Sequence, residues 1–389
     1  MSNHTALNTL HLSTARSWRG GENQLLLLAQ GLAGRGHQAL VLAPRGSPLL
    51  ERCRDAKLSI RELAIRGGAD LFGAWKLARL IRALRPDILH AHDGHAVIPA
   101  KLALLLAGNA GRNTRLVAHR RTVFKIKSRS KYAGRVDRVI AISQAARETL
   151  LNAGVPAKKI SVVHSGMDFP EALAASAPEV QAFRQTLNLP EKSFVIAHAA
   201  ALTHEKRQCD MLNALQRVNT VLEAEGVAPD QRAVLVLAGT GALEAELRAQ
   251  TKSLGLEAHV RFAGFLRDTR PLWACASLAL FASEAEGLCT ALIDAQGAGV
   301  AAAISRAGGM VEVVEAGATG VIFGVGDTDG MSRELLELIP DQARCRDHAR
   351  CRRMGENAAL RARALFSARA MVDGVIEIYQ ALKSGVDER

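Results

Sequence analysis

Two carboxylates frame a short stretch near residue 290. Glu286 and Asp294 lie eight residues apart in "EAEGLCTALID", with a glycine and small or apolar side chains between them. Gly287 permits a turn, and a helix is predicted to begin in "CTALIDAQGAG". Eight helical residues rotate by roughly 800° and rise by roughly 12 Å. Both carboxylates are therefore expected to face one ligand, one accepting hydrogen bonds from a sugar and the other from a ribose.

Cations and helix starts close to these acids could bind a phosphate. Lys206 and Arg207 follow the first predicted strand of the second half, where they could neutralise a leaving diphosphate. A solvated helical turn is the alternative for them. The helix after Glu286 opens at Leu288, Cys289 and Thr290, and its free N–H groups could face the same diphosphate.

Two glycine pairs could also let a ligand approach backbone N–H groups. Gly20 and Gly21 separate the first predicted strand from the first predicted helix. Glycines there let a ligand approach the backbone, although a tight turn without a ligand explains them equally well. Gly308 and Gly309, in "SRAGGMVEVVEAG", offer a second set of N–H groups.

Three histidines cluster around Asp93 in "HAHDGHAV". His90 and His92 lie on one face of a predicted strand, and His95 follows. A histidine at the end of a strand suits hydrogen bonding to a substrate hydroxyl, and His92 is the candidate. A core or surface histidine and a metal ligand remain alternatives, but no carboxylate-rich partner segment accompanies these residues.

No segment makes a strong case for a metal or an organic cofactor, and none is expected. Asp327 and Asp329 form a DxD pair in "GDTDG", which could hold a divalent ion. Their place just before the predicted helix "MSRELLELI" favours a turn and an N-cap instead. "AGTGALEAEL" lacks the third glycine of a phosphate-binding loop and is predicted to be a turn.

Basic residues concentrate in the first half of the chain. Residues 1–189 hold 28 Lys and Arg against 12 Asp and Glu, whereas the remainder holds 22 against 26. Residues 120–138 contain eight basic side chains and one acid, Asp137, with Val123, Phe124 and Ile126 interleaved. This composition favours an anionic membrane surface or a phosphorylated acceptor. The candidate residues for this contact are Arg120, Arg121, Lys125, Lys127, Arg129 and Lys131.

A plain solvated surface remains an alternative for this stretch. Nucleic acid is not expected as a partner, because the stretch lacks an aromatic stacking platform. The six cysteines are scattered without CxxC spacing, as expected of reduced thiols. No apolar run is long enough to span a bilayer. The start of the chain does not resemble a secretory signal, so the expected location is cytoplasmic, peripheral on the inner face of the membrane.

The elements that position these residues alternate in both halves. Short apolar runs such as "LNTLHLST", "HQALVLAP", "DILHAH", "SFVIAHAAAL" and "LALFAS" alternate with helical patterns, which indicates α/β units with parallel sheets. The sequence predicts two Rossmann-like doubly wound domains, 1–185 and 186–370, facing a central cleft. Residues 371–389 should form a helix that packs back across the junction. Ligands of such folds bind at the carboxyl ends of the strands.

With these motifs together, the sequence resembles the retaining glycosyltransferases of the GT-B superfamily, family 4. "GGEN" and "GLAGRGHQALVLAP" resemble the family's GGxE and rGHxV patterns, and "DILHAHDGHA" resembles its D-x-x-H-x-H segment. "RVIAISQAARETLLNAGVPAKKISVVHSGMD" resembles the segment that closes in N-G-V-D. In the second half, "LAGTGALEAELRAQTKSLGLEAHVRFAGFL" and "EGLCTALIDAQGAGVAAAISRAGGMVEVVEAGATG" follow the family.

The resemblance implies roles for the residues named above. Glu286 and Asp294 match the E-x7-E pair and would contact the donor sugar and the ribose. Lys206 would neutralise the diphosphate, and His92 would bind the sugar near the reacting carbon. Gly20 and Gly21 would lie against the phosphates or the acceptor.

Several positions depart from the family pattern. Asp294 is one methylene shorter than glutamate, and Ala201 stands where an arginine is usual. Ser165 replaces asparagine in the closing motif. Leu288 and Cys289 replace the aromatic residue and the second glycine of E-G-F-G.

The expected function is retaining transfer of a sugar from a nucleotide-diphosphate donor, with UDP as the default nucleotide. Departure of the diphosphate from the front face would be stabilised by Lys206 and helix N-termini, without a metal. The acceptor is expected to be lipid-linked or of the lipopolysaccharide type. Two other functions compete: a sugar-nucleotide epimerase, which would not need the basic stretch, and a nucleic-acid-binding protein, in which Glu286 and Asp294 would be ordinary helix carboxylates.

Overall fold

A computed structural model describes residues 6–67, 70–126, 129–169, 176–339 and 349–385. The chain divides into two compact units. Unit 1 comprises Met1–Gly166 together with Phe366–Arg389, and unit 2 comprises Met167–Leu365.

Unit 1 is built on a sheet of seven parallel strands in the order β3-β2-β1-β4-β5-β6-β7. The inner strands are almost wholly buried, as expected of a parallel sheet covered on both faces. The strands are β1 Asn8–Leu12, β2 Gln38–Ala43, β3 Ser59–Glu62, β4 Ile88–Ala91, β5 Arg115–Arg120, β6 Arg138–Ala141 and β7 Ile160–Val162.

The helices of unit 1 form two groups. Helices α1 and α2 pack together and α1 also packs on the C-terminal helix α15, while α3, α4 and α5 pack on one another. Right-handed crossovers place these groups on opposite faces of the sheet, because the strand order reverses direction at β1. The helices are α1 Gly20–Gly34, α2 Pro48–Asp55, α3 Leu71–Leu84, α4 Val97–Leu106, α5 Asn109–Asn113, α6 Gln144–Asn152 and α15 Ala368–Ser384.

Unit 2 repeats the plan with six parallel strands in the order β10-β9-β8-β11-β12-β13. The strands are β8 Phe194–Ala199, β9 Ala233–Ala238, β10 Val260–Gly264, β11 Leu278–Phe281, β12 Ala302–Ser305 and β13 Gly320–Phe323. The helices are α7 Ala177–Thr186, α8 Gln208–Ala224, α9 Glu244–Ser253, α10 Arg270–Cys275, α11 Thr290–Gly297, α12 Met310–Val313, α13 Thr328–Leu338 and α14 Ala349–Leu365.

The expectation of two Rossmann-like α/β domains is confirmed. Every apolar run singled out as a strand is one, whereas the short strands β3, β7 and β13 were not predicted. β3 is largely exposed, so its sequence lacks a buried apolar pattern. Unit 1 ends at residue 166 rather than at the expected 185, and α7 packs on α10 within unit 2.

The C-terminal helix α15 belongs to unit 1, where it packs on α1. Gly31 of α1 makes this close approach possible, since a Cβ there would lie 2.4 Å from a methyl carbon of Val372. Tyr379 and Val375 bury their side chains in the same core. None of the helices in the described ranges has the length and apolar character needed to cross a bilayer.

Candidate functional site

Lys206 and Glu286 meet at the carboxyl end of the unit 2 sheet. Lys206 ends a short 3₁₀ helix, His204–Lys206, after β8, and Glu286 lies in the loop after β11, the neighbouring strand. The ammonium group donates to Oε1 of Glu286 and forms an ion pair with it. Burial acts to lower the pKa of Lys206, but the charge and hydrogen bond of Glu286 outweigh it and raise that pKa. Lys206 is therefore a fully charged, partly buried cation.

Backbone and hydroxyl groups hold Glu286 in place. Ser283 Oγ donates to its Oε1 at 3.1 Å, and the N–H of Gly309 donates to its carbonyl at 3.0 Å. Gly308 has φ +51°, and a Cβ there would lie 1.9 Å from that same carbonyl oxygen. Gly308 is thus required for the approach of two loops. The N–H of Gly309, which we expected to face a phosphate, is occupied by Glu286.

Helix α11 begins directly beside this pair. Cys289 is its N-cap and has left-handed backbone angles, φ 61° and ψ 80°. Burial, and then the charge of Glu286, raise the pKa of its thiol, which keeps it protonated. Leu288 is buried, and Thr290 is the first residue of the helix. The expected helix start after Glu286 is therefore confirmed.

Asp294 lies in the second turn of α11 and is anchored to α10. Thr269 Oγ1 donates to its Oδ2 at 2.7 Å, and Trp273 Nε1 donates to the same oxygen at 2.8 Å. Both bonds use Oδ2, so Oδ1 keeps its capacity to accept from a ligand.

Arg207 pairs with other acids of unit 2. Its Nε donates to Asp210 at 2.6 Å, and Glu284 lies 3.7 Å from its NH1 group. Its guanidinium also lies against Gly326, since a Cβ there would be 3.2 Å from it. Arg207 is the candidate donor-binding residue with the most partners within the protein.

The loops after β8 and β9 approach each other closely. A Cβ on Gly239 or on Gly241 would lie 1.9 Å or 2.2 Å from the carbonyl oxygens of Ala200 and Leu202. These glycines let the two loops interlock, which agrees with the prediction of a turn in "AGTGALEAEL".

The DxD pair is used within the fold. Asp327 caps α13 by accepting from the N–H of Gly330 at 2.7 Å, as predicted. Asp329 forms an ion pair with Arg217 of α8.

Four histidines lie together at the carboxyl ends of β1, β4 and β5 in unit 1. The rings of His90, in β4, and His92, just after it, lie with centroids 3.9 Å apart and planes tilted by 31°, so both side chains point to the same side as expected. His11 of β1 and His119 of β5 complete the group, and all four are buried. The sequence analysis missed His11 and His119, although both follow the same pattern of a histidine near a strand's end.

The hydrogen bonds of this histidine cluster assign its tautomers. Arginine can only donate, so Nδ1 of His92 accepts from Arg121 at 3.3 Å and its Nε2 carries the proton. That proton is donated to Nδ1 of His11 at 3.0 Å. Nε2 of His11 donates to Thr9 Oγ1 at 2.8 Å, and Thr9 donates to the carbonyl of Gln38 at 2.9 Å.

A second branch reaches the C-terminal helix. Tyr379 of α15 donates its hydroxyl proton to Nδ1 of His90 at 2.5 Å. Nε2 of His90 then donates to Nδ1 of His119 at 3.3 Å. The guanidinium of Arg121 lies 3.4 Å from the same nitrogen of His119. Burial lowers the pKa of His11 to about 3 and holds the pKa values of the other three well below their usual range. The cluster is a chain of neutral imidazoles ordered by Arg121.

This chemistry does not suit a metal ion. Ring nitrogens of His11, His90 and His92 lie within 4.8 Å of one another, a spacing that could suggest a site. However, the nitrogens already take part in the hydrogen-bond chain. The guanidinium of Arg121 beside them would repel a divalent cation, and no carboxylate belongs to the group.

Two cations of the basic stretch, Arg121 and Lys131, turn toward the end of β4 instead of outward. The side chain of Arg121 lies against Gly21, 3.4 Å from where a Cβ would be, and Lys131 Nζ lies 2.6 Å from the equivalent point on Gly94. Arg120 donates to the carbonyl of Phe124, and its Nε is buried without a partner. A membrane surface or a phosphorylated acceptor was expected to contact Arg120, Arg121 and Lys131, and the orientation of Arg121 and Lys131 favours the acceptor.

Within the described ranges no carboxylate forms a direct ion pair with Arg120, Arg121 or Lys131, although the charges of Glu22 and Asp93 act on Arg121. Burial lowers the pKa of Arg121 to about 10 and also lowers that of Lys131. Asp93 lies nearby, but its oxygens already accept from the backbone N–H groups of Thr14, His95 and Ala96 and from the Thr14 hydroxyl. Arg120, Arg121 and Lys131 therefore form a positively charged, partly buried group that could bind an anion.

The remaining candidates of the first half lie nearby or outside the described residues. Gly20 and Gly21 open α1, whose N-cap is Arg19 and whose Glu22 accepts from the N–H of Arg19. Lys125 is exposed. Lys127 and the side chain of Arg129 lie outside the described residues.

Two doubly wound units with candidate sites at the carboxyl ends of their sheets define the GT-B class of glycosyltransferase. A family model described as Glycosyltransferase Family 4 matches residues 18–169, and one described as Glycosyl transferases group 1 matches residues 179–361. The chain belongs to this family of glycosyltransferases.

Individual relatives agree with the family. The N-acetyl-alpha-D-glucosaminyl L-malate synthase of Bacillus anthracis is 26% identical over 298 residues, which cover 74% of this chain and 73% of the relative. The lipopolysaccharide core biosynthesis glycosyltransferase LpsE of Rhizobium meliloti is 27% identical over 125 residues, 32% of this chain and 36% of the relative.

A solved structure has the same fold. HepE of Anabaena, in complex with UDP and glucose, has a TM-score of 0.77 at 22% identity, and the match covers 96% of this chain and 100% of that one.

Proposed function

We propose that this glycosyltransferase moves a sugar, with retention of configuration, from a UDP-sugar to an anionic, lipid-linked or lipopolysaccharide-type acceptor. The observation that carries the proposal is the Lys206–Glu286 pair beside the start of α11. A cation poised for a diphosphate and a carboxylate poised for sugar hydroxyls are already assembled there. The UDP of the HepE complex supports the choice of donor.

Donor binding would exchange the partners of this pair. The diphosphate would take Lys206, which carries a full charge, and Glu286 would then be released to accept from sugar hydroxyls. Asp294 would accept from a ribose hydroxyl through Oδ1, because its Oδ2 is held by Thr269 and Trp273. The protonated thiol of Cys289 would add no charge to the site.

Catalysis would be electrostatic. As the glycosidic bond lengthens, negative charge accumulates on the diphosphate, and Lys206 together with the free N–H groups of α11 would stabilise it. No divalent ion is needed in this scheme. The engagement of Asp327 in a helix cap and of Asp329 with Arg217 supports this view.

The acceptor's anionic group would bind in unit 1. In the described part of the chain, Arg120, Arg121 and Lys131 form a basic group without a direct ion pair to a carboxylate, and Arg121 lies against Gly21 at the start of α1. Arg121 also fixes the tautomer of His92, whose ring nitrogens are both occupied. We therefore assign His92 a positioning role through Arg121, since its backbone N–H also donates to Leu12.

The test is a transfer assay with UDP-sugars that measures UDP release with and without an anionic glycan acceptor. We expect Glu286→Gln to lose roughly 10- to 150-fold in rate, since a hydrogen bond to a charged group contributes about 1.5–3 kcal/mol. Glu246→Gln is the matched control, because Glu246 is an exposed acid on α9 of the same unit and should retain activity.

Two outcomes would reject parts of the proposal. A Glu286→Gln enzyme within twofold of the parent would remove Glu286 from the mechanism. Activity that disappears in EDTA and returns with Mg²⁺ or Mn²⁺ would contradict metal independence.

A further inference from the structure

The outer face of α3 and α4 in unit 1 is apolar and basic at once. Seven of the thirteen large apolar side chains that the described residues expose lie on these two helices, which pack side by side. They are Leu71, Phe72, Trp75 and Leu84 on α3, and Ile98, Leu105 and Leu106 on α4. This concentration is not the scatter of single apolar residues that an ordinary surface has.

Helix α3 presents aromatic rings and cations on one stripe. Phe72 and Trp75 stack with centroids 5.9 Å apart. Lys76 Nζ lies 4.3 Å above the ring of Phe72, and the guanidinium of Arg79 lies 5.1 Å from the ring of Trp75. The 3.6-residue repeat brings these four side chains to one side of the helix. The opposite side, with Leu77 and Ile81, is buried.

The charge of this layer has one sign. Helices α3, α4 and α5 contain Lys76, Arg79, Arg82, Lys101 and Arg112 and no aspartate or glutamate. Between α4 and α5 an open groove of about 620 Å³ is lined by Ile98, Leu102, Leu104 and Leu105 with Lys101, Arg112 and Arg135 around it. Arg135 is paired with Asp137 and Lys101 donates to two backbone carbonyls, so the cations available to lipid phosphates are those of α3. Apolar side chains of the groove could enter a lipid interface beside them.

We propose that the α3–α4 face docks the protein on an anionic lipid bilayer. The composition of the face fits this occupant: aromatic rings that suit the interface, basic side chains that attract anionic headgroups, and no acid to repel them. A second copy of the chain fits less well, because a twofold contact through this face would bring two basic layers together. The face is separate from Arg121 and Lys131, which turn toward the end of β4.

This docking extends the proposed function, because it would place the enzyme at a bilayer, where a lipid-linked acceptor lies. It does not depend on that function, because binding to vesicles needs neither donor nor acceptor. Failure of docking would leave the transfer chemistry intact, and failure of transfer would leave docking measurable.

The experiment is flotation of the full-length protein with vesicles of phosphatidylglycerol and phosphatidylcholine, and with phosphatidylcholine alone. We expect binding to the anionic vesicles that weakens with salt. Phe72→Ser/Trp75→Ser and Lys76→Ser/Arg79→Ser should each reduce it at least tenfold, since each basic group near such a surface is worth roughly fivefold. These residues are exposed, so thermal unfolding should be unchanged.

Two controls sharpen the result. Phe265→Ser removes an equally exposed aromatic ring from unit 2 and should bind like the parent. Lipids brominated near the headgroup should quench the fluorescence of Trp75, and the effect should vanish in Trp75→Phe, which keeps Trp18 and the buried Trp273.

Three results would overturn the proposal. These are binding that the α3 variants do not change, binding as strong to neutral as to anionic vesicles, or a dimer in solution that dissociates in Phe72→Ser/Trp75→Ser. The last result would assign the face to a second copy of the chain.

Discussion

At the scale of single residues, the candidate site of unit 2 depends on positions where backbone and side chain have separate roles. Glu286 offers its carboxylate to Lys206 and its carbonyl to Gly309, so its orientation is set twice. Gly308 is needed because any side chain would strike that carbonyl. Cys289 stands in the left-handed region, which favours glycine. The departure from glycine at 289 therefore has a conformational cost.

This cost can be measured at Cys289. Glycine relieves the left-handed strain of about 1–2 kcal/mol but increases the entropy of the unfolded chain, so Cys289→Gly should be as stable as the parent or up to about 1 kcal/mol more stable. Cys289→Val, which is β-branched, should lose about 1–2 kcal/mol. Urea unfolding of both variants is the measurement. A valine variant as stable as the glycine variant would mean that the backbone at 289 is not strained.

At the scale of elements, helix starts organise both units. Asp70, Ser143, Asp327 and Ser367 each accept from the backbone of their own helix, and Asp93 does the same for the turn before α4. A carboxylate held by a helix start in this way already has a structural role that does not require a metal. That is why the DxD pair of "GDTDG" is better explained by the start of α13 than by a metal.

The capping role of Asp327 predicts an order among its variants. Asp327→Ala should destabilise the protein by about 0.5–2 kcal/mol, whereas Asp327→Asn, an equally good cap, should change stability little. Sugar transfer should survive both changes. Thermal unfolding and the UDP-release assay measure the two effects. An asparagine variant that folds well but transfers nothing would point to a metal ligand.

At the scale of the whole molecule, segments far apart in the chain meet in the histidine cluster. β1, β4 and β5 supply the imidazoles, and α15 supplies Tyr379, 289 residues from His90. In unit 2, His198 is buried in a similar way, and burial lowers its pKa to about 4. All of these imidazoles are neutral in the folded protein.

Neutral buried histidines predict a loss of stability in acid. Their folded pKa values lie below the unfolded value near 6.5, so their contribution is complete above pH 6.5 and is lost as pH falls toward the folded values, about 3 for His11. Each such histidine adds up to about 1.4 kcal/mol per pH unit to the slope of the unfolding free energy against pH. Denaturant unfolding between pH 7 and pH 4.5 should show a steep decline that is shallower in His11→Asn. Equal slopes would mean that His11 does not titrate on unfolding.

Much of the molecule could be predicted from the sequence because its signals are local. Apolar runs of strand length, glycines that end helices and an Asp before "MSRELLELI" specify the elements and the start of α13 without reference to distant residues. The placement of Glu286 and Lys206 after buried strands was also predictable, because parallel strands end at one edge of a sheet. The two Rossmann-like units and the family follow from these same segments.

Only the tertiary structure decided which partner each polar group takes. Strand order places His11 opposite His90, and no local pattern reveals that Arg121 turns inward to order four imidazoles while Lys125, four residues later, is exposed. The exposure of the α3–α4 face could not be predicted from the sequence for the same reason. Leu71, Phe72 and Leu105 look like core residues in a helical pattern, and they are exposed only because the buried sides of α3 and α4 use other residues. The burial of a side chain depends on which elements pack against it, and the periodicity of the sequence does not specify those elements.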